Sequence, residues 1–205
     1  MHIRRMLVLT FILGALVFGL TVGSRAQDKP DWMTIELMDA QTGEAFTLAD
    51  FEGKTVLVEP MATWCSTCRR QLGYTAQLIR ALMEDTATKG DNEEEYEDQF
   101  VFIALSVETN LAADTLARYA ERFEFPLKFA VMNQDMLRAL VAEFGRSAAN
   151  PPSSPSFIIR ADGTFTELKV GVELPEEILA NLETEAAAVQ PNLKSTPSAS
   201  STPSN

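Results

Sequence analysis

Thr55-Val56-Leu57-Val58-Glu59-Pro60-Met61-Ala62-Thr63-Trp64-Cys65-Ser66-Thr67-Cys68 carries the chain from a β-branched apolar run into a Cys-x-x-Cys pair. The run 55–59 suits a buried central strand, because branched side chains pack well on a pleated surface. Pro60 cannot donate a ladder hydrogen bond, so the strand is expected to end or bulge there. Beyond the pair, Leu72, Ala76, Ile79 and Met83 recur at steps of four, three and four, which draws one apolar face of a helix. The cysteines thus stand at the junction of a buried strand and an amphipathic helix.

That placement suits thiol–disulfide exchange. A thiolate attacks a disulfide sulfur, and a second nearby thiol resolves the mixed disulfide. Free N–H groups and the dipole at a helix N-terminus favour the anion, so Cys65 is the expected nucleophile. Cys68, one turn inside and less exposed, is the expected resolving thiol. The rival reading is a passive staple or half of a zinc site. A staple gains more from closing a long loop than a short one. Cys65 and Cys68 are the chain's two cysteines, too few for a four-sulfur site, and no histidine outside the first residues completes one.

His2 is the one histidine, and it lies in a segment with the layout of an export leader. Arg4 and Arg5 precede the apolar run 6–22, and Ser24-Arg25-Ala26 supplies small residues for cleavage. Residues 1–26 are therefore read as a signal peptide or, because the run is nearly long enough to span a bilayer, as an uncleaved membrane anchor. Either reading puts the rest of the chain outside the cytoplasm, in the periplasm or on the outer face of the membrane. Without the leader there is no histidine for Ser-His or Cys-His catalysis or for blue copper. The 205-residue chain carries a net charge of −12; losing Arg4, Arg5 and Arg25 leaves 14 basic against 29 acidic residues, a net of −15. Such a chain repels nucleic acid and anionic lipid.

Outward from the cysteine pair, the pattern alternates strand and helix. Residues 34–38 are expected as a strand, 41–44 as a turn, and 45–53 as a connector with Leu48 and Phe51 turned inward. The stretch 84–99 breaks the helical pattern, and 91–98 carries Asp91, Glu93, Glu94, Glu95, Glu97 and Asp98. Such a run is a solvated loop or, alternatively, a docking surface for a basic partner. A buried strand at 101–107, a helix at 112–123, a short strand at 127–131 and a helix at 135–144 follow. After a Pro-rich loop at 146–154, runs at 157–160 and 165–169 flank Asp162-Gly163, a hairpin signal. The last helix begins at Pro175, with Leu179, Leu182, Ala186 and Val189 as its buried face. Residues 27–189 are thus one domain, and 190–205 read as a disordered Ser/Thr/Pro tail.

Phe46-Thr47-Leu48-Ala49-Asp50-Phe51-Glu52-Gly53-Lys54, then Val56-Leu57-Val58, then Ala62-Thr63-Trp64-Cys65 through Cys68, resemble the TlpA/ResA-like branch of the thioredoxin superfamily. The likeness covers roughly residues 33–189. It implies an α/β thioredoxin fold, a central mixed sheet flanked by helices, with an N-terminal extension and a βα insertion. It implies an exported thiol–disulfide oxidoreductase that needs no cofactor and no metal. It implies a cis proline facing the cysteines, which falls on Pro155, and assigns Trp64, Ser154 and Pro155 to substrate binding. It also implies a buried acid that moves the proton of the resolving thiol, which falls on Glu59; the alternative is a strand-end glutamate reaching solvent. A carboxyl in apolar surroundings has a raised pKa, which suits that work.

Some positions depart from the family pattern. Pro60 and Met61 stand where relatives have aromatic residues, and Thr67 where many have proline. Gln71 stands where ResA-like proteins have a glutamate, so a proton relay would fall to Glu59 alone. The implied partners are disulfide-containing exported proteins, apocytochrome c among them at family level, and a membrane thiol electron donor. Three rivals stay open. One is an oxidant of the same fold. Another is a thiol peroxidase, of which Pro60-Met61-Ala62-Thr63-Trp64-Cys65 is a partial echo. The third is a binding module with an acidic docking loop.

Overall fold

A computed structural model describes residues 29–89 and 99–189. The leader at 1–26, the acidic stretch 91–98 and the tail at 190–205 lie outside the described residues. Among the described residues, no helix is long and apolar enough to cross a membrane.

The chain opens with a 3-10 turn, Asp31–Thr34, and a two-stranded antiparallel ribbon, β1 (Leu37–Met38) and β2 (Ala45–Phe46). The expected strand at 34–38 is thus shortened. Trp32 is drawn into the core, where its ring meets Phe144, Phe157 and Phe165, and the 3-10 turn swings it there. After a 3-10 turn at Leu48–Phe51 come β3 (Thr55–Met61), α1 (Ser66–Lys89), β4 (Phe100–Ser106), α2 (Ala113–Arg122), β5 (Lys128–Val131) and α3 (Gln134–Phe144). Two 3-10 turns, Arg146–Ala149 and Pro151–Ser153, lead into β6 (Pro155–Ile159), β7 (Lys169–Val170) and α4 (Pro175–Val189).

The main sheet runs β5-β4-β3-β6-β7. β3, β4 and β5 are parallel, whereas β6 and β7 are antiparallel to their neighbours, so the sheet is mixed. β5 and α3 form the inserted βα unit. The N-terminal ribbon guards the β5 edge, where Asp39 bridges Ala130 and the Ala40 N–H donates to the Phe129 carbonyl at 2.7 Å. Covering an edge in this way denies it to other chains.

Strand alternation divides the interior into two cores. Leu57, Met61, Phe102 and Ala104 face Leu72, Ala76 and Ile79 of α1 and Ile178, Leu182 and Ala186 of α4. Val56, Val58, Ile103 and Leu105 face Trp32, Leu48, and Met136 and Leu140 of α3. Glu59 therefore shares its face with Leu57 and Met61, between the sheet and α1. Ile178 rather than Leu179 leads the buried face of α4.

Two further expectations are corrected. Strand β3 continues through Pro60, which pairs in register with Leu105. Met61 directs its carbonyl to the β4 side, accepting from the Val107 N–H at 2.8 Å, so the ring nitrogen of Pro60 points the other way. On that side β6 has already stopped pairing, at Val58 opposite Phe157, and no donor is needed. The first helix, expected to break at Glu84, runs to Lys89, and Met83 is 49% exposed. A 24-residue helix is about 36 Å long and a seven-residue strand about 23 Å, so the end of α1 overshoots the sheet it packs on.

Candidate active site

The cysteines sit where β3 hands over to α1. Cys65 immediately precedes the first helical residue, Ser66, and is joined to Cys68 in a disulfide with Cα atoms 5.4 Å apart. The Cys68 N–H, in the first turn, points at Cys65 Sγ at 3.0 Å. That is the contact an N-cap side chain makes, here with sulfur as acceptor. When the pair is reduced, the same N–H and the helix dipole favour a thiolate on Cys65. Cys68 Sγ lies 3.1 Å from the Pro151 carbonyl oxygen, where a reduced thiol would donate. The expected contrast in exposure is corrected: Cys65 is 4% and Cys68 3% exposed. What separates the two sulfurs is their bonding, an amide donor at Cys65 and a carbonyl acceptor at Cys68.

Glu59 is 3% exposed and does not reach solvent. Its Oε1 accepts from the Thr75 hydroxyl at 3.0 Å, and its Oε2 has no hydrogen-bond partner among the described residues. Burial pushes its pKa from 4.5 up to about 7; Gln71 and Thr75 pull it down less than burial raises it, and the nearby Glu173 carboxylate adds to the rise. The Gln71 amide favours the anion.

Glu173 was not singled out in the sequence. Its backbone N–H donates to Gln71 Oε1 at 2.8 Å, and its carboxylate accepts from Lys169, Asn181 and Ser156. A glutamate just before a helix-starting Leu-Pro gives no signal of burial, because only the β6–β7 return brings it under the sheet.

Trp64 stands beside the pair with 65% of its surface exposed. The backbone before β6 departs from expectation: among the described residues there is no cis peptide bond, so Ser154–Pro155 is trans. The chain reverses at Ser154 instead, in the left-handed region with φ 48°, and the Ser154 N–H closes the turn onto the Pro151 carbonyl at 2.8 Å. Both residues are buried. A loop residue that touches the cysteines, through its carbonyl, is Pro151, which sequence reasoning passed over as an ordinary loop proline. Thr63 was likewise overlooked: Glu108, two residues past β4, accepts its N–H at 2.6 Å and its hydroxyl at 3.2 Å, which anchors the approach to Cys65.

Among the described residues no cluster of three or more potential metal ligands forms. A disulfide-bonded cysteine pair at a helix start, next to an exposed indole in sequence and with a buried carboxyl on the preceding strand, is suited to exchange of disulfides.

Relatives agree with that chemistry, and solved structures agree with the fold. Thiol-disulfide oxidoreductase ResA of Geobacillus thermodenitrificans is 24% identical over 88% of this chain and 94% of its own length. ResA of Geobacillus kaustophilus is 26% identical over 80% of this chain and 78% of its own. The crystal structure of a thiol:disulfide interchange protein of the thioredoxin family from Chlorobium tepidum superposes with a TM-score of 0.52, at 20% identity, covering 74% of this chain and 92% of that one. Residues 21–185 match the Redoxin family. With its Cys65–Cys68 pair on a thioredoxin fold, the chain belongs to the Redoxin family as a ResA-like thiol–disulfide oxidoreductase.

Proposed function

We propose that the protein is an exported reductase of disulfides in other exported proteins. The observation that carries this reading is Cys65 at the start of α1, its sulfur facing the Cys68 N–H, with Glu59 buried on the strand that leads to it. The Cys65 thiolate attacks one partner sulfur; the partner S–S bond breaks, a mixed disulfide forms, and the leaving thiolate takes up a proton. The Cys68 thiol gives its proton to the Glu59 carboxylate, and the new thiolate attacks Cys65 Sγ. The mixed disulfide breaks, the partner leaves with two thiols, and Cys65–Cys68 is oxidised by two electrons. A membrane thiol donor returns it to the dithiol.

Trp64 gives the incoming chain an exposed apolar contact, and Ser154 and Pro155 shape the neighbouring wall. The Ser154 N–H is already used within its turn, so pairing of an extended substrate there requires that turn to open. Ser66-Thr67 places no histidine between the cysteines to stabilise the thiolate further, which favours a reductant over a strong oxidant. The basic and apolar layout of residues 1–26 supports export. An apocytochrome c whose C-x-x-C-H cysteines have become oxidised fits the required partner chemistry.

The test is the reduction potential of the pair, measured by equilibration in a thiol/disulfide buffer. A value near about −270 mV marks a reductant, whereas one near about −120 mV marks a disulfide donor and reverses the proposed electron flow. Cys65→Ser abolishes disulfide reduction, and Cys68→Ser accumulates mixed disulfides; turnover surviving in Cys65→Ser would sink the mechanism.

A further inference from the structure

Three of the chain's arginines converge beside the cysteines. An open groove of about 440 Å³ lies between the start of α1 and the exposed side of α2, lined by Thr63, Arg69, Arg118, Tyr119, Arg122 and Phe123. It borders the reacting sulfurs: Thr63 is two residues before Cys65, and Arg69 directly follows Cys68. The Arg69 and Arg122 guanidinium groups lie over the ring of Phe123, 5.2 Å and 5.5 Å from its centroid. Arg118 pairs with Asp114 at 2.8 Å. Among the described residues, no carboxylate comes within ion-pair distance of Arg69 or Arg122. Glu108 is the acid at the rim, and its oxygens are taken by Thr63. Below them, the Tyr119 hydroxyl is buried with no hydrogen-bond partner among the described residues.

Among the described residues, ion pairing accounts for Arg118 alone of the three. Arg118 and Arg122 are one turn apart on α2, where like charges repel. The chain as a whole carries −12, so the groove is a local reversal of sign at the mouth of the active site. Its cations come from two helices, two of them share the Phe123 ring, and Phe123 and Tyr119 offer apolar surface beside them. An extended chain with successive acidic side chains can meet guanidinium groups on both helices.

We propose that this groove docks an acidic stretch of the partner polypeptide next to the disulfide that Cys65 attacks, and so selects substrates by charge. The proposal rests on the exchange reading above. Its test compares three synthetic peptides with the same intramolecular disulfide, flanked by glutamates, lysines or serines, in stopped-flow exchange with the reduced full-length protein. Exchange with the serine peptide reports the redox reading alone. Its failure would remove that reading, whereas its success leaves the groove to be judged by the other two.

The expected result is exchange about tenfold faster with the glutamate than with the lysine peptide at low salt, the preference fading as salt rises. The double variant Arg69→Glu, Arg122→Glu inverts the preference. Arg138→Glu, the same kind of charge change on α3 where Arg138 pairs with Asp135, keeps it. A preference for the lysine peptide in the native protein, as net charge alone dictates, would overturn the proposal. So would an unchanged ratio in the double variant, or glutathione disulfide being favoured as strongly as the glutamate peptide.

Discussion

Replacing Glu59 by glutamine should abolish a specific pH dependence of stability. An exposed glutamate titrates near 4.5, and burial brings Glu59 to about 7. Between those values the folded protein holds a proton that the unfolded chain has released. Stability therefore falls as pH rises through this window and levels off above about 7. At 1.36 kcal/mol per pH unit the charged form costs the fold about 3 kcal/mol, of which about 2–3 kcal/mol is lost between pH 5 and pH 8. Glutamine keeps the shape and cannot ionise. Its amide adds a buried donor where Oε2 has no partner, but that cost is constant with pH and cancels in the comparison. Urea unfolding of the oxidised proteins at a series of pH values measures the difference, with the cysteines tied up in their disulfide. Other titrating carboxyls, such as Asp39, are common to both proteins and drop out. The variant should gain about 2–3 kcal/mol on the native protein between pH 5 and pH 8. Parallel profiles would refute the reasoning, because Glu59 would then pay no penalty for its charge and could not hold a proton near neutrality.

The same variant should slow release of a trapped mixed disulfide by about 100-fold at neutral pH, at the low end for lost general-base assistance, with attack by Cys65 little changed; quenched-flow separation of the two steps checks it. Asp39→Ala removes the 2.8 Å bond from Lys128 and the 2.9 Å bond from the Gln41 N–H, and should destabilise by about 1–3 kcal/mol in urea unfolding at neutral pH. Burial opposes ionisation of Asp39, but Lys128 and the Gln41 and Thr42 amides outweigh it and lower its pKa below 3.8, so the cost of the substitution should shrink as pH falls through that lowered value. Leu182→Ala empties a fully buried position on α4 against the sheet and should cost about 3 kcal/mol by the same measurement.

The strand, the cysteine pair and the helix could be read from the chain because two periodicities meet at Cys65, the β-branched run of β3 before it and the four-three-four spacing of α1 after it. The burial of Glu59 follows from the same alternation, since it shares a strand face with Leu57 and Met61. Errors arose where local chemistry was decided by distant partners. Pro60 looks like a strand breaker, yet β6 stops pairing with β3 before it and leaves no acceptor wanting a donor. Met83 keeps the helical spacing but is exposed, while Leu82 beside it packs against the core. The bond before Pro155 is trans and the loop turns at a left-handed Ser154, which brings the Pro151 carbonyl to Cys68; serine carries no mark of that conformation in sequence. Asp162-Gly163 did foretell its turn, since Gly163 at φ 82° needs the freedom that glycine alone supplies cheaply.

Gln71 shows why a departure from the family pattern need not remove the proton chemistry. By itself, an amide in place of a carboxyl leaves Glu59 as the one titrating group near the pair. In the fold, Gln71 Oε1 is fixed by the Glu173 N–H, so its amide donor is turned away from Glu173 and favours a charged Glu59. The Glu173 carboxylate pushes the other way, and Lys169 and Asn181 hold it in place. An acid at position 71 would set a second charge nearer Glu59 and split titration between the two groups. The amide keeps one titrating site and lets a more distant carboxylate adjust it. Glu173→Gln should therefore lower the pKa of Glu59 and move the upper end of the Glu59-dependent stability change to lower pH. An unmoved transition in urea titrations would mean that burial alone sets it.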